Sequence, residues 1–286
     1  MNFDTDGRNI LKGLPLFIMR VLFKLRSILT VYVTFQYNAV KIRFQPHSVL
    51  SAMRATSVLV KEEGTIKWLE STLSPGDTFL DIGANIGTYT LFGAALVGPT
   101  GRVLAVEPHI HNASNLMDNI AANNFADRVT VLTAPLTSQQ SIADFNYHDL
   151  NAGASGSQFD SVTDDRGVDY VPKLTELKAA VSVDELVANG NLLVPDAIKI
   201  DVDGIELAIL AGMEETLTRP DKPQTIQIEI QRETAEAVDK VLTRHGYTLD
   251  HRHYTLAGKK RIANGEDELA IAHNAVYMPQ TDLTKS

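Results

Sequence analysis

The sequence contains no cysteine and only one tryptophan in 286 residues. Without cysteine, disulfides, thiolate nucleophiles and cysteine-ligated zinc or iron–sulfur centres are excluded. Long apolar runs are also missing, because Arg20, Lys24 and Arg26 interrupt the apolar stretch near the amino terminus. A membrane-spanning helix, which needs about 20 apolar residues without central charges, is therefore not predicted. The 44% hydrophobic and 21% charged content is that of an ordinary folded domain.

Basic residues are scarce outside the first 61 positions. Residues 1–61 carry nine Lys and Arg against two Asp, whereas residues 62–286 carry 17 basic and 33 acidic side chains. The two parts have net charges of +7 and −16, within a whole-chain charge of −9. Binding to a phosphate backbone needs clustered Lys and Arg, so the acidic body argues against a nucleic-acid partner.

The amino-terminal segment Leu14–Leu29 has apolar residues at three-to-four spacing and basic residues on the other side, which predicts an amphipathic helix. Such a helix can bind an anionic membrane surface. It can equally pack on the domain or on a second subunit, and the oligomeric state stays open. We divide the chain into a basic extension (1–61), a main domain (62–280) and a tail (281–286). We expect a cytoplasmic protein, with peripheral contact to anionic membrane through residues 14–29 as one of these alternatives.

From residue 62 onward, strand and helix patterns alternate. Strands are predicted at Thr78–Ile82, Val103–Glu107, Val129–Thr133, Ala197–Asp201, Thr225–Ile230, Tyr247–His253 and Leu269–Tyr277. Helices are predicted at Thr65–Leu73, Gly87–Leu96, Asn112–Asn123, Val183–Ala188, Ile205–Leu217 and Thr234–His245. This alternation predicts right-handed βαβ units and a mostly parallel seven-stranded α/β sheet with helices on both faces.

Two segments depart from that alternation. The last two strands have no predicted helix between them, so we expect an antiparallel hairpin at one edge of the sheet. The segment Asn151–Gly167 is rich in Gly, Ser and Asp. We interpret it as a long loop that is mobile without ligand and becomes ordered over the site.

The segment Asp81–Gly87 lies where a strand ends and a helix begins. Gly83 and Gly87 permit a tight turn and a close approach of the backbone to a ligand, and the following helix start can bind an anion. The next strand ends at Glu107, where a carboxylate can accept both hydrogen bonds of a ribose diol. These features together predict a nucleotide-type cofactor. A plain glycine turn with Asp81 as a helix cap is the structural alternative.

The identity of that cofactor depends on two details. Asn85 and Thr88 stand where a dinucleotide fingerprint has glycine, which disfavours a nicotinamide cofactor. A carboxylate such as Asp81 repels a pyrophosphate but attracts an ammonium or a sulfonium. S-adenosyl-L-methionine carries both of these cations, a carboxylate and a ribose, so we expect it as the cofactor. Its predicted site comprises Asp81, Gly83, Ala84, Asn85, Gly87, Glu107 and Pro108.

A second acidic segment, Ala197–Glu206, follows another buried strand. Its carboxylates Asp201, Asp203 and Glu206 should face the same crevice at the carboxyl edge of the sheet, and they are the candidate catalytic residues. We expect Asp201 to accept the proton of an acceptor hydroxyl during methyl transfer. Asp203 and Glu206 have the spacing of a capping box, which would account for both without catalysis.

No metal site is assigned from the sequence. Glu229 ends the next strand and should lie beside Asp201, and two carboxylates there can hold a hard cation. No sequence spacing demonstrates such a site. His109 and His111 have no third ligand at diagnostic spacing, so we interpret them as surface histidines.

With these residues identified, the sequence resembles the FkbM family of S-adenosylmethionine-dependent methyltransferases. The resemblance covers about residues 65–278. It is carried by Asp81–Gly87, Val106–Pro108, Asn119–Asn123, Ile198–Glu206, Ile226–Ile230 and Ala272–Tyr277. The run Lys199–Glu206 is the stretch most particular to the family, which usually has glutamate where this chain has Asp203.

The resemblance implies a class I methyltransferase fold and methyl transfer to a hydroxyl of a sugar, a lipid-linked glycan or a secondary metabolite. The expected partner is therefore a small-molecule or glycan acceptor. Two alternatives remain open, a nicotinamide-dependent oxidoreductase and a binding module that keeps the nucleotide pocket without turnover.

Overall fold

The computed structural model describes residues 15, 17–18, 20–21, 24, 31–37, 40–61, 63–164 and 167–280. Met1–Tyr32 and Val33–Ser286 are separate compact units. The predicted helix Leu14–Leu29 lies mostly outside the described residues, as does the tail 281–286. Both stay predictions. Across the described ranges, no helix has the length and apolarity needed to cross a membrane.

The described residues form twelve strands and nine α-helices. The strands are β1 (Val33–Tyr37), β2 (Val40–Phe44), β3 (Thr78–Ile82), β4 (Arg102–Val106), β5 (Val129–Leu132), β6 (Ser141–Tyr147), β7 (Gln158–Phe159), β8 (Leu174–Ala180), β9 (Ala197–Ile200), β10 (Thr225–Ile230), β11 (Tyr247–His253) and β12 (His273–Pro279). The helices are α1 (Val49–Lys61), α2 (Glu63–Thr72), α3 (Thr88–Val97), α4 (Ile110–Ala122), α5 (Val183–Ala188), α6 (Glu206–Ala211), α7 (Glu214–Thr218), α8 (Ala235–Arg244) and α9 (Leu256–Ala263).

A seven-stranded sheet forms the centre of the larger unit, in the order β11-β12-β10-β9-β3-β4-β5. The strands from β10 to β5 pair in parallel, whereas β12 is antiparallel to both of its neighbours. This order, with one reversed strand next to the edge, is that of the class I methyltransferase fold. The predicted mostly parallel seven-stranded sheet is confirmed.

The strand sequences explain why the sheet is covered on both faces. Every residue of β3 and β9 is buried, as expected for parallel strands with helices on either side. Leu80 and Ile198 face the hydrophobic cluster that includes α5, α6 and α8. Phe79 and Ala197 face the opposite cluster, which includes α2 and α3. Alternate residues of each strand therefore contribute to two separate cores.

The antiparallel edge is confirmed, but its connection differs from the prediction. β11 and β12 pair directly, yet α9 and a 3₁₀ turn at Glu268–Ala270 lie between them in the chain. The prediction that no helix separates these strands is wrong. Gly258 is the one buried residue of α9. Because α9 buries no apolar face, its sequence lacks the periodicity that would indicate a helix.

The predicted helix Ile205–Leu217 is instead two short helices, α6 and α7, separated at Gly212 and Met213. A Cβ atom at Gly212 would lie 2.1 Å from the carbonyl oxygen of Thr137. The backbone therefore approaches the segment after β5 more closely than any other residue type allows.

Residues 33–61, which the sequence analysis assigned to an extension, lie within the larger compact unit. Ile42 and Phe44 of β2 and Ala55 and Val58 of α1 are buried in the same cluster as α2 and α3. The structural division falls between Tyr32 and Val33, whereas the sequence placed it after residue 61.

A small antiparallel sheet, β7-β6-β8, occupies the region between β5 and α5. The segment Asn151–Gly167, predicted to be a long loop, includes β7 and an isolated bridge between Thr163 and Asp169. Ala152 and Ala154 within it are buried, although the segment is rich in Gly, Ser and Asp.

The place of residues 33–61 in the core can be tested by Phe44→Ala. Phe44 is fully buried, so the cavity left behind should lower the free energy of unfolding by about 3–5 kcal/mol in urea denaturation. Val60→Ala on the exposed surface of α1 is the control, and it should change stability by less than about 0.5 kcal/mol. Equal stability of Phe44→Ala and the wild type would mean that this segment is an appendage.

Candidate active site

A cavity of about 510 Å³ opens at the carboxyl ends of the central strands. The residues that follow β3, β4 and β9, together with Glu229 near the end of β10, line its wall. This is the edge at which parallel α/β sheets bind ligands. Of the ten predicted site residues, those on the wall are Gly83, Ala84, Asn85, Glu107, Pro108, Asp201 and Asp203. Those not on the wall are Asp81, Gly87 and Glu206.

The turn after β3 needs glycine at two positions, at one because of a neighbouring backbone and at the other because of a neighbouring side chain. Gly83 has φ +80°, and a Cβ atom there would lie 1.9 Å from the carbonyl oxygen of Asp201. Gly87 has φ +88°, and a Cβ atom there would lie 2.5 Å from Leu116 of α4. Gly83 therefore lets the ends of β3 and β9 approach each other. Asn85 has φ 51°, a conformation that asparagine tolerates, so the turn keeps its shape without a third glycine.

The backbone N–H groups of residues 83–87 all donate hydrogen bonds within the protein. The acceptors are Val106 O for Gly83 and Ala84, Glu107 Oε2 for Asn85, Asn85 Oδ1 for Ile86 and Ala84 O for Gly87. The turn itself therefore has no N–H group left for an anion. An anionic ligand must be held by the start of α3 or by a side chain.

Glu107 connects the turn to the end of β4. Its Oε2 accepts a hydrogen bond from Asn85 N at 2.7 Å, and its Oε1 accepts one from His109 N at 2.8 Å. Burial raises the pKa of Glu107 to about 7, although both of these hydrogen bonds favour the ionised form. Each carboxylate oxygen keeps a further lone pair. The pair of oxygens can therefore accept two hydroxyl donors from the cavity.

His109 is buried, so its interpretation as a surface histidine is wrong. It is the N-cap of α4, where Asn112 N donates to Nδ1 at 3.4 Å and Nε2 lies 2.7 Å from Asp149 O. These partners fit a neutral ring, and burial lowers the pKa of His109. His111 is exposed. No cluster of three or more His, Asp or Glu that could hold a metal occurs in the part of the chain that the structure describes.

A row of polar side chains crosses three neighbouring strands of the buried sheet. Asp81 of β3, Lys199 of β9 and Gln227 of β10 are in register with one another and fully buried. Thr90 Oγ1 donates to Asp81 Oδ2 at 2.6 Å, and Gln227 Nε2 donates to Thr65 Oγ1 at 3.2 Å. Burial raises the pKa of Asp81, against the charge of Lys199. Asp81 therefore lies in the sheet behind the cavity wall.

Lys199 connects this row to Asp201. Its Nζ lies 2.5 Å from Asp201 Oδ2 and 4.6 Å from the centre of the Tyr89 ring. Burial opposes ionisation of Asp201, but the charge and hydrogen bond of Lys199, together with a hydrogen bond from Glu229 and the charge of Arg54, outweigh it and hold the pKa of Asp201 below the ordinary aspartate value. Glu229 is within hydrogen-bonding reach of Asp201. Asp201 is thus an ionised carboxylate on the cavity wall.

The capping-box interpretation of Asp203 and Glu206 is wrong. The N-cap of α6 is Ile205, and no side chain caps this helix. Asp203 Oδ2 accepts a hydrogen bond from Gly156 N at 2.6 Å instead. Glu206 Oε1 accepts one from Gly204 N at 3.1 Å. Asp203 therefore holds the segment after β6, and buried Glu206 shapes the turn that precedes its own helix.

The segment after β6 is bonded to several sides of the cavity. Ala154 O accepts hydrogen bonds from the side-chain amides of Asn85 and Asn112, both at 3.0 Å. Gly153 O accepts one from Arg54 Nε of α1 at 2.5 Å. The segment thus joins the glycine turn, α4 and α1. Its predicted ordering on ligand binding stays a prediction.

Sequence reasoning missed Arg54, Lys199 and Gln227. Lys199 interrupts an otherwise apolar strand and, like Asp81, stands one position before the strand end, which was the available signal. Gln227 had no such signal, because its strand also contains Thr225 and Glu229. Arg54 had no comparable signal, because the sequence of residues 1–61 gave no indication that they reach the cavity.

The burial of Glu107 should appear in the pH dependence of stability. Its pKa is about 7 in the folded protein against an ordinary 4.5, so between these values the folded state binds more protons than the unfolded state. Stability from this group is therefore present at low pH and lost as pH rises through 7. From pH 4.5 to 8, the unfolding free energy of the wild type should fall relative to Glu107→Gln by up to about 3 kcal/mol.

Urea denaturation of both proteins at several pH values measures this difference. All other titrating groups are common to the two proteins, so their contributions cancel in the difference between the two unfolding free energies. Parallel curves for the wild type and Glu107→Gln would show that the Glu107 carboxylate is not perturbed by burial.

The chain is similar to known methyltransferases. Residues 81–249 match the family model described as the methyltransferase FkbM domain. The chain is 28% identical to the hexuronic acid methyltransferase AglP of Haloferax volcanii, over 61% of this chain and 65% of that protein. It is also 28% identical to the O-methyltransferase imqG of Aspergillus flavus, over 43% of this chain and 51% of that protein.

A solved structure, Aeropyrum pernix fibrillarin in complex with S-adenosyl-L-methionine, is 11% identical with a TM-score of 0.46, covering 96% of this chain and 90% of that one. The chain spans less than two thirds of the length of the two curated relatives. The family model, however, matches more than half of the chain. The chain therefore belongs to the FkbM methyltransferase family, whose cofactor is S-adenosyl-L-methionine.

Proposed function

We propose that the protein transfers a methyl group from S-adenosyl-L-methionine to a hydroxyl of a sugar, glycan or secondary metabolite. The observation that carries this proposal is the meeting of Glu107, the glycine turn and ionised Asp201 on the wall of one cavity. The hexuronic acid methyltransferase and the O-methyltransferase among its relatives support an acceptor of this kind. We propose no nucleic-acid partner, because the domain is acidic.

The residues of the cavity fit this cofactor. Each Glu107 oxygen accepts one backbone hydrogen bond and can accept one more from a ribose hydroxyl. Gly83 and Ala84 offer a wall without large side chains, and Pro135 and Leu136 offer an apolar one for the adenine. The cofactor, when bound, supplies an electrophilic methyl group on a sulfonium. Its positive charge is favoured beside the Asp201 and Glu229 carboxylates.

Asp201 is suited to take the acceptor proton. In-line displacement requires the acceptor oxygen to be held close to the methyl group and to lose its proton as the new bond forms. Lys199 binds Asp201 Oδ2 from inside the sheet, which fixes the carboxylate and keeps it ionised at neutral pH. Asp203 and Glu206, the other candidate catalytic residues, are expected to act through the backbone that they hold.

A direct comparison of ligands separates this proposal from its alternatives. Calorimetric titration with S-adenosyl-L-methionine and with NAD distinguishes a methyltransferase from an oxidoreductase. Release of S-adenosylhomocysteine in the presence of extracted glycans or uronic acids then distinguishes an enzyme from a binding module. Binding of NAD alone would refute the proposal, and binding of S-adenosyl-L-methionine without turnover on any fraction would favour the module.

Asp201→Asn tests the catalytic assignment. We expect turnover to fall by about 10²–10⁴-fold, because the proton acceptor is lost. The affinity for S-adenosyl-L-methionine should fall by a much smaller factor, because Glu229 remains on the wall near the sulfonium. The melting temperature should also fall, since Lys199 is fully buried and loses its ionised partner. Asp221→Asn, which removes an exposed carboxylate paired with Arg219, is the matched control. It should leave turnover, cofactor affinity and melting temperature unchanged.

A second variant separates chemistry from folding. Lys199→Met combined with Asp201→Asn removes the unpaired buried charge, so it should regain melting temperature but not turnover. Full turnover of Asp201→Asn on the acceptor that the wild type methylates would contradict the assignment.

We also propose that Leu14–Leu29 brings the domain to anionic membranes, where a lipid-linked acceptor would lie. The support is the sequence alone, an apolar stripe combined with Arg20, Lys24 and Arg26. Each basic residue near the surface contributes about 1 kcal/mol. Co-sedimentation with liposomes should require anionic lipid, decrease with salt and be lost when these three residues are changed to Gln. No binding to anionic liposomes at low salt would refute it.

A further inference from the structure

Arg54 of α1 lies on the cavity wall, outside the residues 81–249 that match the family model. Its Nε donates a hydrogen bond to Gly153 O at 2.5 Å. Within the described part of the chain, its two Nη groups make no hydrogen bond and no ion pair. The Gly153 contact therefore holds the guanidinium while most of its donors stay available.

Arg54 is a positive charge on a cavity wall that carries more acidic than basic side chains. The carboxylates on the wall are Glu107, Asp201, Asp203 and Glu229, and the cations are Arg54 and Lys61. The positive charge of Arg54 favours ionisation of both Glu107 and Asp201, so the guanidinium is near both the proposed ribose end and the proposed methyl end of the cavity. An anionic group entering this cavity meets repulsion from these carboxylates and attraction at Arg54 and Lys61. Of the two cations, Arg54 is the one whose charge acts on both Glu107 and Asp201.

The proposed cofactor brings one such group, the carboxylate of its amino-acid part. The five N–H groups of the glycine turn are all used within the protein and cannot bind it. A guanidinium presents paired donors that match the two oxygens of a carboxylate. From this geometry we infer that Arg54 binds the amino-acid carboxylate of S-adenosyl-L-methionine. This inference rests on the proposed function.

The test compares S-adenosyl-L-methionine with its decarboxylated form by calorimetry, without any methyl acceptor. The wild type should bind the decarboxylated ligand about 10–100-fold more weakly, as expected for the loss of a charge-assisted hydrogen-bonded pair. Arg54→Gln should weaken binding of S-adenosyl-L-methionine by a similar factor and change binding of the decarboxylated ligand less than about 3-fold. Arg54→Lys should fall between the two, because lysine keeps the charge without the paired donors.

Lys41→Gln is the matched control, since it removes a positive charge from an exposed position of β2 that is not on the cavity wall. It should bind both ligands as the wild type does. Equal weakening of both ligands by Arg54→Gln would mean that Arg54 acts only by holding Gly153, which overturns the inference. Unchanged binding of both ligands by Arg54→Gln would indicate that the start of α3 binds the ligand carboxylate, and this would also overturn the inference. A wild type that binds neither ligand refutes the proposed function itself, before any variant is compared.

Discussion

A buried cation in the central strand determines how the site is built. Lys199 is fully enclosed by protein, and a buried charge is tolerated only when it is paired and hydrogen-bonded. The Asp201 carboxylate supplies the pair at 2.5 Å, and the Tyr89 ring covers Nζ at 4.6 Å. Asp81 lies beside Lys199 on the neighbouring strand. Asp201 is therefore held ionised at the strand end, where an acceptor hydroxyl would need it.

The remaining parts of the site are tied to this strand end by close backbone approaches and side-chain amides. Gly83 lets the glycine turn come against the Asp201 carbonyl. Glu107 binds the same turn from β4. Asn112 of α4 binds the segment after β6 through both Gly153 N and Ala154 O. A displacement of any one of these segments would be transmitted to the others, because they share hydrogen-bond partners around one cavity.

The sequence predicted the sheet, the glycine turn and the acidic strand ends because these depend on local patterns of apolar runs, glycine and carboxylates. It did not predict contacts that depend on tertiary approach. The spacing of Asp203 and Glu206 fits a capping box, yet Asp203 binds Gly156, which only the folded chain brings near. Arg54 lies on a helix whose basic surroundings suggested a separate extension. Lys199 was visible as a lysine in an apolar strand, but its partner could be found only from the geometry.

Direct titration of the Asp201 carboxyl tests the central claim that Lys199 holds this group ionised. Carbon-13 NMR of aspartate-labelled protein can follow it, with the signal assigned by its loss in Asp201→Asn. In the wild type the carboxyl should titrate below the ordinary aspartate pKa. In Lys199→Met, which removes the buried charge, its pKa should rise by about one unit or more. An Asp201 pKa that is the same in both proteins would contradict the account.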